Sequence, residues 1–163
     1  MDWQLLFSMQ QELDQRIKQE HHLESKDVVN DKILALLVEI GELANETRCF
    51  KFWSQKPPSD QAVILEEYVD GLHFIISIGL ELGYSFHQID EHPELENLNT
   101  TELFLQVYEK AVSLKSHQGR NSYQSLFSTF LALGNKLGFE EELIQRAYIS
   151  KNEVNHKRQD EGY

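Results

Sequence analysis

The sequence contains a single cysteine, Cys49. No internal disulfide can form, which suits a reducing compartment. Cations are also scarce: 15 Lys and Arg stand against 27 Asp and Glu, for a formal net charge of -12. That balance argues against a nucleic-acid backbone or an anionic membrane surface as partner. Any phosphate ligand must then be met by local cations or by bridging metal. No apolar run approaches the roughly 20 residues that cross a bilayer. The opening MDWQLLFSMQQELDQ mixes polar with apolar residues and carries no signal-peptide core, so a cytoplasmic protein is expected. Alternating β-branched stretches between tight turns, internal repeats and low-complexity segments are missing too.

What is present is helical periodicity almost everywhere. The expected fold is all-α, a bundle of about six main helices in a single domain over residues 1–163. A first helix spans about Trp3 to Glu20 on a stripe of Leu5, Leu6, Met9, Leu13 and Ile17, and a second about Asp31 to Arg48. Ser59 is placed to cap a third helix that continues to about Gly83, and Tyr84 to Asn99, with Pro93, reads as a long connection. Thr100 is placed to cap a fourth helix, Leu103 to about Lys115. A fifth follows from Tyr123 to about Leu137, and a sixth from about Glu140 to Ser150 leads into a polar tail, 151–163.

In a chain this acidic, carboxylates three residues apart occur by chance, and four such pairs exist: Glu24/Asp27, Glu39/Glu42, Glu67/Asp70 and Glu91/Glu94. The first and last lie in polar connections, where water solvates them. The middle two interrupt the apolar helices ILALLVEIGELANE and ILEEYVDGLHFIISIG. A carboxylate facing a core is costly unless something neutralises it. Residues three or four apart share a face, so Glu39, Glu42 and Glu46 form one acidic line, and Glu67, Asp70 and His73 another. Two such lines facing each other make an oxygen-rich cage at the centre of the bundle. Hard donors without Cys suit Mg²⁺, or Mn²⁺ as substitute, and Mg²⁺ commonly takes substrate phosphates as further ligands. The structural alternative is a buried ion-pair network or a solvated stripe. Basic partners on the same helices would favour it, and almost none lie between Ile33 and Ala44 or between Gln61 and Gly83. Gly41 and Gly71 fit either close backbone approach at such a cage or ordinary helix packing.

The cations gather in two places, Arg48, Lys51 and Lys56 after the second helix and Arg146, Lys151, Lys157 and Arg158 near the C-terminus. Either group can supply phosphate contacts. The tail adds Asn152, Asn155, Gln159 and Tyr163, groups that hydrogen-bond phosphate and sugar oxygens. Gln10 and Asp14 share a face of the first helix, where amide and carboxylate can read a base edge or simply form a polar outer face. Trp53 and Phe52 can wall a base pocket or pack into the core.

Taken together, E39-I-G-E42, E67-Y-V-D70-G-L-H73-F, R48-C-F-K51-F-W53 and the ending Y148-I-S-K151-N152-E-V-N155-H-K-R158-Q159-D-E-G162-Y163 resemble the all-α, dimeric type of dUTPase. This type belongs with the MazG-like nucleotide pyrophosphohydrolases. The resemblance extends from L6-F-S-M-Q10-Q-E-L-D14 to Tyr163. It implies hydrolysis of dUTP, and also dUDP, to dUMP, which limits uracil incorporation into DNA and supplies dUMP. It further implies a homodimer, with Mg²⁺ held by Glu39, Glu42, Glu67 and Asp70. Lys151, Asn155, Arg158 and Tyr163 would meet the phosphates, with Lys51 as a further candidate. Gln10, Trp53 and His73 would lie on the base and sugar side, and Asn152 would hold the tail or the ligand. Relatives often carry Asn where this chain has Asp14, and Glu66 beside Glu67 offers a second register for the ligand. In such a mechanism Glu42 or Glu46 would take a proton from water, and Lys151 and Arg158 would stabilise charge on the leaving phosphate. Two other readings share the motifs: a related pyrophosphohydrolase acting on dCTP or another non-standard nucleotide, and a helical binding protein without catalysis.

Overall fold

The computed structural model describes residues 1–85 and 93–162, among which there are seven helices and no strand. They are α1 (Trp3–Glu20), α2 (Val29–Thr47), α3 (Gln61–Glu81), α4 (Pro93–Glu96), α5 (Thr100–Ser113), α6 (Arg120–Lys136) and α7 (Glu141–Asp160). The all-α expectation holds. The seventh helix is α4, a single turn inside the segment expected to be a connection.

The bundle is arranged around α3. Its residues are apolar on nearly every side, with Tyr68, Val69, Leu72, Ile75, Ile76 and Ile78 all buried. A helix of that kind needs neighbours all round, and α3 packs against α1, α2, α6 and α7. α5 and α6 pack on each other, and α5 also lies against α2. Four glycines permit close approach. Gly71 sits under the Phe130 ring, and a Cβ at Gly79 or Gly134 would collide with the Tyr123 or Tyr68 hydroxyl, respectively. Gly71 is therefore a packing glycine. Gly41 is one too, opposite the Tyr108 hydroxyl of α5.

Several helix ends differ from the sequence expectation for local chemical reasons. α2 starts at Val29, whose N–H is taken by the Asp27 carboxylate at 3.1 Å. Ser59 does not cap α3. Its hydroxyl donates to the Glu46 carboxylate and its N–H to the Glu46 carbonyl at 3.0 Å, and Asp60 stands at the N-cap. Asn99, not Thr100, caps α5, in a reciprocal capping box with Glu102. The largest difference is α7, which runs through the expected polar tail to Asp160. Its inward stripe is only Ile144, Tyr148 and Asn152. That stripe turns polar at Asn152, so apolar periodicity loses sight of the helix there.

Gly79→Ala should cost about 1–3 kcal/mol, the usual penalty of overpacking, because Tyr123 must move and give up its hydrogen bond to the Ile75 carbonyl at 3.2 Å. Gly119→Ala, with nothing near its Cβ position, should leave stability within about 0.5 kcal/mol. Urea titration of the two variants measures the contrast, and equal stability would show that the Gly79–Tyr123 contact is not tight.

Candidate active site

Four helices contribute to one cleft. α2 brings Glu39, α3 brings Asp70, His73, Phe74 and Ser77, α1 brings Gln10 and Asp14, and α7 brings Asn155, Arg158 and Gln159 around a cavity of about 400 Å³. Of the four acids expected to face one another, Glu39, Glu67 and Asp70 come together beside this cleft. Oxygen atoms of Glu39, Glu67 and Asp70 all lie within 4.8 Å of one another. Glu42, one turn further along α2, is outside that trio and exposed, yet its charge still raises the pKa of both Glu39 and Glu67.

The trio is electrostatically costly. Burial, then repulsion from Asp70, Glu42 and Glu67, raises Glu39 to about 7. Glu67 is raised by burial and by Asp70 and Glu42. Asp70 is raised by burial, even though it accepts a hydrogen bond from Lys151. Among the described residues neither Glu39 nor Glu67 has a cation in salt-bridge contact, so an ion-pair network does not account for them. A hard divalent cation fits this donor set: all three groups offer oxygen, they converge, and their mutual repulsion is what such an ion removes. The residues that can hold it are Glu39, Glu67 and Asp70, with Glu42 adjacent.

Lys151 bridges two carboxylates of α3. Its Nζ donates to Asp70 Oδ2 at 2.7 Å and to Glu66 Oε1 at 2.9 Å. Burial acts to lower the Lys151 pKa, but the hydrogen bonds to Asp70 and Glu66 win and raise it. Glu66 is the outward partner of this lysine, its pKa lowered by that hydrogen bond, whereas Glu67 belongs to the trio.

Further along α3 from the trio the cleft is lined by Gln10 and His73, with the charged Asp14 and Lys32 beyond them. Gln10 is buried, so it is no part of a polar outer face. Its Oε1 accepts from the Tyr148 hydroxyl at 2.7 Å and lies 2.7 Å from His73 Nδ1. The His73 ring stacks on Tyr148 at 3.8 Å between centroids. Burial, then the charge of Lys151, pushes His73 down to about 3. Behind Gln10 lies an ion-pair cluster: Lys32 reaches Asp14 at 2.9 Å and Glu81 at 2.6 Å, and Lys18 reaches Glu81 at 2.8 Å. Burial of Glu81 opposes its ionisation, but Lys18 and Lys32 hold its pKa low.

Other expected site residues fall elsewhere. Glu46 is tied to Ser59. Lys51 donates to the Asn45 side chain and stands 5.5 Å from the Phe50 ring. Trp53 is 65 % exposed and Phe52 93 %, packed edge-on to each other. None of these lines the cavity, and Trp53 is not core. Arg48 is spent on its own loop, donating to the Lys56 carbonyl and to Ser54. Asn152 is buried, and its Nδ2 has no partner among the described residues. Tyr163 and Glu91 lie outside the described residues. Sequence reasoning missed Lys32, Ser77 and Tyr148. Tyr148 was detectable as the residue one turn before Asn152 on the inward stripe of α7.

No curated protein gives a significant match to the sequence. A family model described as dUTPase matches residues 2–163, nearly the whole chain. That match accords with a helical bundle, without a strand among the described residues, that converges carboxylates able to hold a divalent ion, and it is consistent with a MazG-like placement. The chain thus belongs to the all-α dUTPase family, and its activity is that of a dUTP diphosphatase.

Proposed function

We propose that the protein hydrolyses dUTP, and also dUDP, to dUMP with Mg²⁺, for which Mn²⁺ can substitute, at the cleft between α1, α2, α3 and α7. The observation that carries this reading is the converging trio of Glu39, Glu67 and Asp70, whose ionised forms the fold disfavours. Glu42 completes the oxygen set from the next turn of α2. The bound ion supplies Lewis-acid polarisation of the phosphate chain and a lowered pKa for the attacking water.

The side chains around the ion divide the remaining work. Glu42, exposed beside the trio, is placed to take the proton from water, and it is a better candidate than Glu46, whose carboxylate already accepts from Ser59. Lys151 and Arg158, one on each side of Asn155 on α7, stabilise charge developing on the leaving phosphate. Asn155 and Tyr163 bind the phosphate chain as well, with Lys51 and Trp53 reaching the ligand only if their loop moves inward. Gln10, Asp14, His73 and Asn152 belong to the nucleoside end. The single domain covers residues 1–163, and 151–163 closes over substrate as the end of a helix with its last residues, not as an irregular tail.

The protein acts as a homodimer in the cytoplasm. Support for the dimer is the exposed apolar row of Leu34 and Val38 on α2 beside Leu105 and Val112 on the adjoining α5. Light scattering should give twice 19.1 kDa, and Leu34→Glu with Leu105→Glu should give monomer.

With Mg²⁺ present, turnover of dUTP should exceed that of dCTP and dTTP. Glu39→Gln or Asp70→Asn should lower kcat by about a hundredfold or more, as removal of one preorganised electrostatic group does. Equal turnover of the three nucleotides would refute the uracil preference, and activity unaffected by chelator would refute the metal.

The pKa of Glu39 gives a separate test on stability. Its folded value of about 7 lies above the ordinary 4.5. Above pH 7 the carboxylate is ionised in both states and the fold bears the cost of burying it together with the repulsion. Between about 4.5 and 7 the folded protein holds a proton that the unfolded chain lacks, so the repulsion fades as pH falls. In metal-free protein, Glu39→Gln should therefore raise Tm most at pH 8 and progressively less toward pH 5. With saturating Mg²⁺ the order should reverse, because the parent protein gains more from the ion than the variant does. A Tm difference independent of pH would show that Glu39 is not part of the repelling trio.

A further inference from the structure

The cleft contains a hydrogen-bond chain that neither metal nor phosphate binding explains. Asp14 Oδ1 accepts from Gln10 Nε2 at 2.8 Å, while its Oδ2 accepts from the Lys32 ammonium at 2.9 Å and from the Ser77 hydroxyl. The two ends of a glutamine amide have the same shape, and only their partners distinguish them. A carboxylate that already receives two donors on one oxygen accepts on the other. The end of Gln10 facing Asp14 is therefore the NH₂, and the end facing His73 and Tyr148 is the carbonyl. A carbonyl cannot donate, so the hydrogen in the 2.7 Å contact between Gln10 and His73 sits on Nδ1. The ring is neutral at physiological pH, so it carries one hydrogen only, and Nε2 is left with a bare lone pair. That atom is buried, has no partner among the described residues, and belongs to a ring that lines the cavity. A buried acceptor without a partner is costly, and a ligand donor removes the cost.

We propose that Asp14, anchored by Lys32 and Ser77, is a positioning residue that acts through Gln10 to fix His73 in its Nδ1–H tautomer, so that the cleft presents Nε2 as an acceptor to an N–H or O–H of the bound nucleoside. This rests on the nucleotide reading above and deepens it. Asp14 itself has no need to touch the ligand, since both its oxygens are occupied by protein donors. The acceptor gives the cleft a preference. Uracil has an N–H at ring position 3 where cytosine has a lone pair, whereas a sugar hydroxyl is common to both nucleosides.

Long-range ¹H–¹⁵N correlation of the imidazole signals reports which nitrogen carries the hydrogen, with His73 assigned by the signals lost in His73→Gln. The expected spectrum shows Nδ1–H in the parent protein without ligand, and both tautomers in Asp14→Ala, where the Gln10 amide is free to turn over. An Nε2–H tautomer in the parent protein overturns the proposal whether or not the variant folds, and a single unchanged tautomer in folded Asp14→Ala overturns it too. Adding Mg²⁺ with a non-hydrolysable dUTP analogue should shift the Nε2 resonance, and no shift overturns the ligand contact. The corresponding dCTP analogue separates the two donors: the same shift assigns the sugar O–H, and no shift assigns the base N–H. Asp14→Ala should also lose about tenfold in kcat/KM for dUTP, the order of one hydrogen bond to a ligand. Failure to hydrolyse dUTP with the Nδ1–H tautomer intact would remove the substrate reading and leave the Asp14–Gln10–His73 chain standing.

Discussion

A helix buried on every side can carry polar residues only where its neighbours compensate them, and α3 is such a helix. Its polar residues Glu67, Asp70, His73 and Ser77 recur every three or four positions and so run in one line along it. Each meets a group from another helix. Glu67 faces the acids of α2, Asp70 takes Lys151 of α7, His73 takes Gln10 of α1 and stacks on Tyr148 of α7, and Ser77 donates to Asp14 of α1. The cleft is the seam where these compensations occur. Ten residues of helix rise about 15 Å, enough to separate the acid trio from the Gln10–His73 pair and the Asp14–Lys32 ion pair further along.

The acid trio is compensated only in part among the described residues. Lys151 is the cation hydrogen-bonded there, and it is shared between Asp70 and Glu66, with Glu39 and Glu67 left to repel each other and Asp70. A fold optimised for stability alone would place a second lysine beside Glu39 or replace it with an apolar residue. Retaining three converging, half-buried carboxylates makes sense if a divalent cation takes part in function, because the free energy lost to repulsion is recovered when the ion binds. The cost is local, confined to one end of a helix pair whose remaining contacts are apolar.

How much of this was legible in the sequence depends on what kind of signal each part leaves. The helices with apolar stripes were readable, α1 to the residue at both ends, because burial imposes its period on the chain. The acids were readable because charge inside an apolar run is conspicuous. Two features left no such trace. The last ten residues of α7 lack an apolar stripe, since the surface they face is the polar cleft, and they therefore looked like a tail. The Lys32–Asp14–Gln10–His73 chain joins residues up to 63 positions apart, and no local pattern encodes such contacts. The same limit applies to Lys51 and Trp53: their motif was readable, but only the fold shows that neither lines the cavity.

His73 has to stay neutral for a reason set by its distance from the acid trio. An imidazolium at His73 would stand one turn from Asp70 and close to the repelling trio, which would draw it toward the acids as an internal counter-ion. It would then compete with the divalent ion and, with hydrogens on both nitrogens, lose the acceptor at Nε2. Burial against Tyr148 and Gln10 prevents this by holding the ring's pKa near 3, and Lys151 adds to the effect from the same side as the acids. The cation that pairs with Asp70 therefore also keeps a second cation from forming three residues away. Substituting Lys151 would affect both ends of the cleft, and the two roles become separable only when the state of His73 is observed directly.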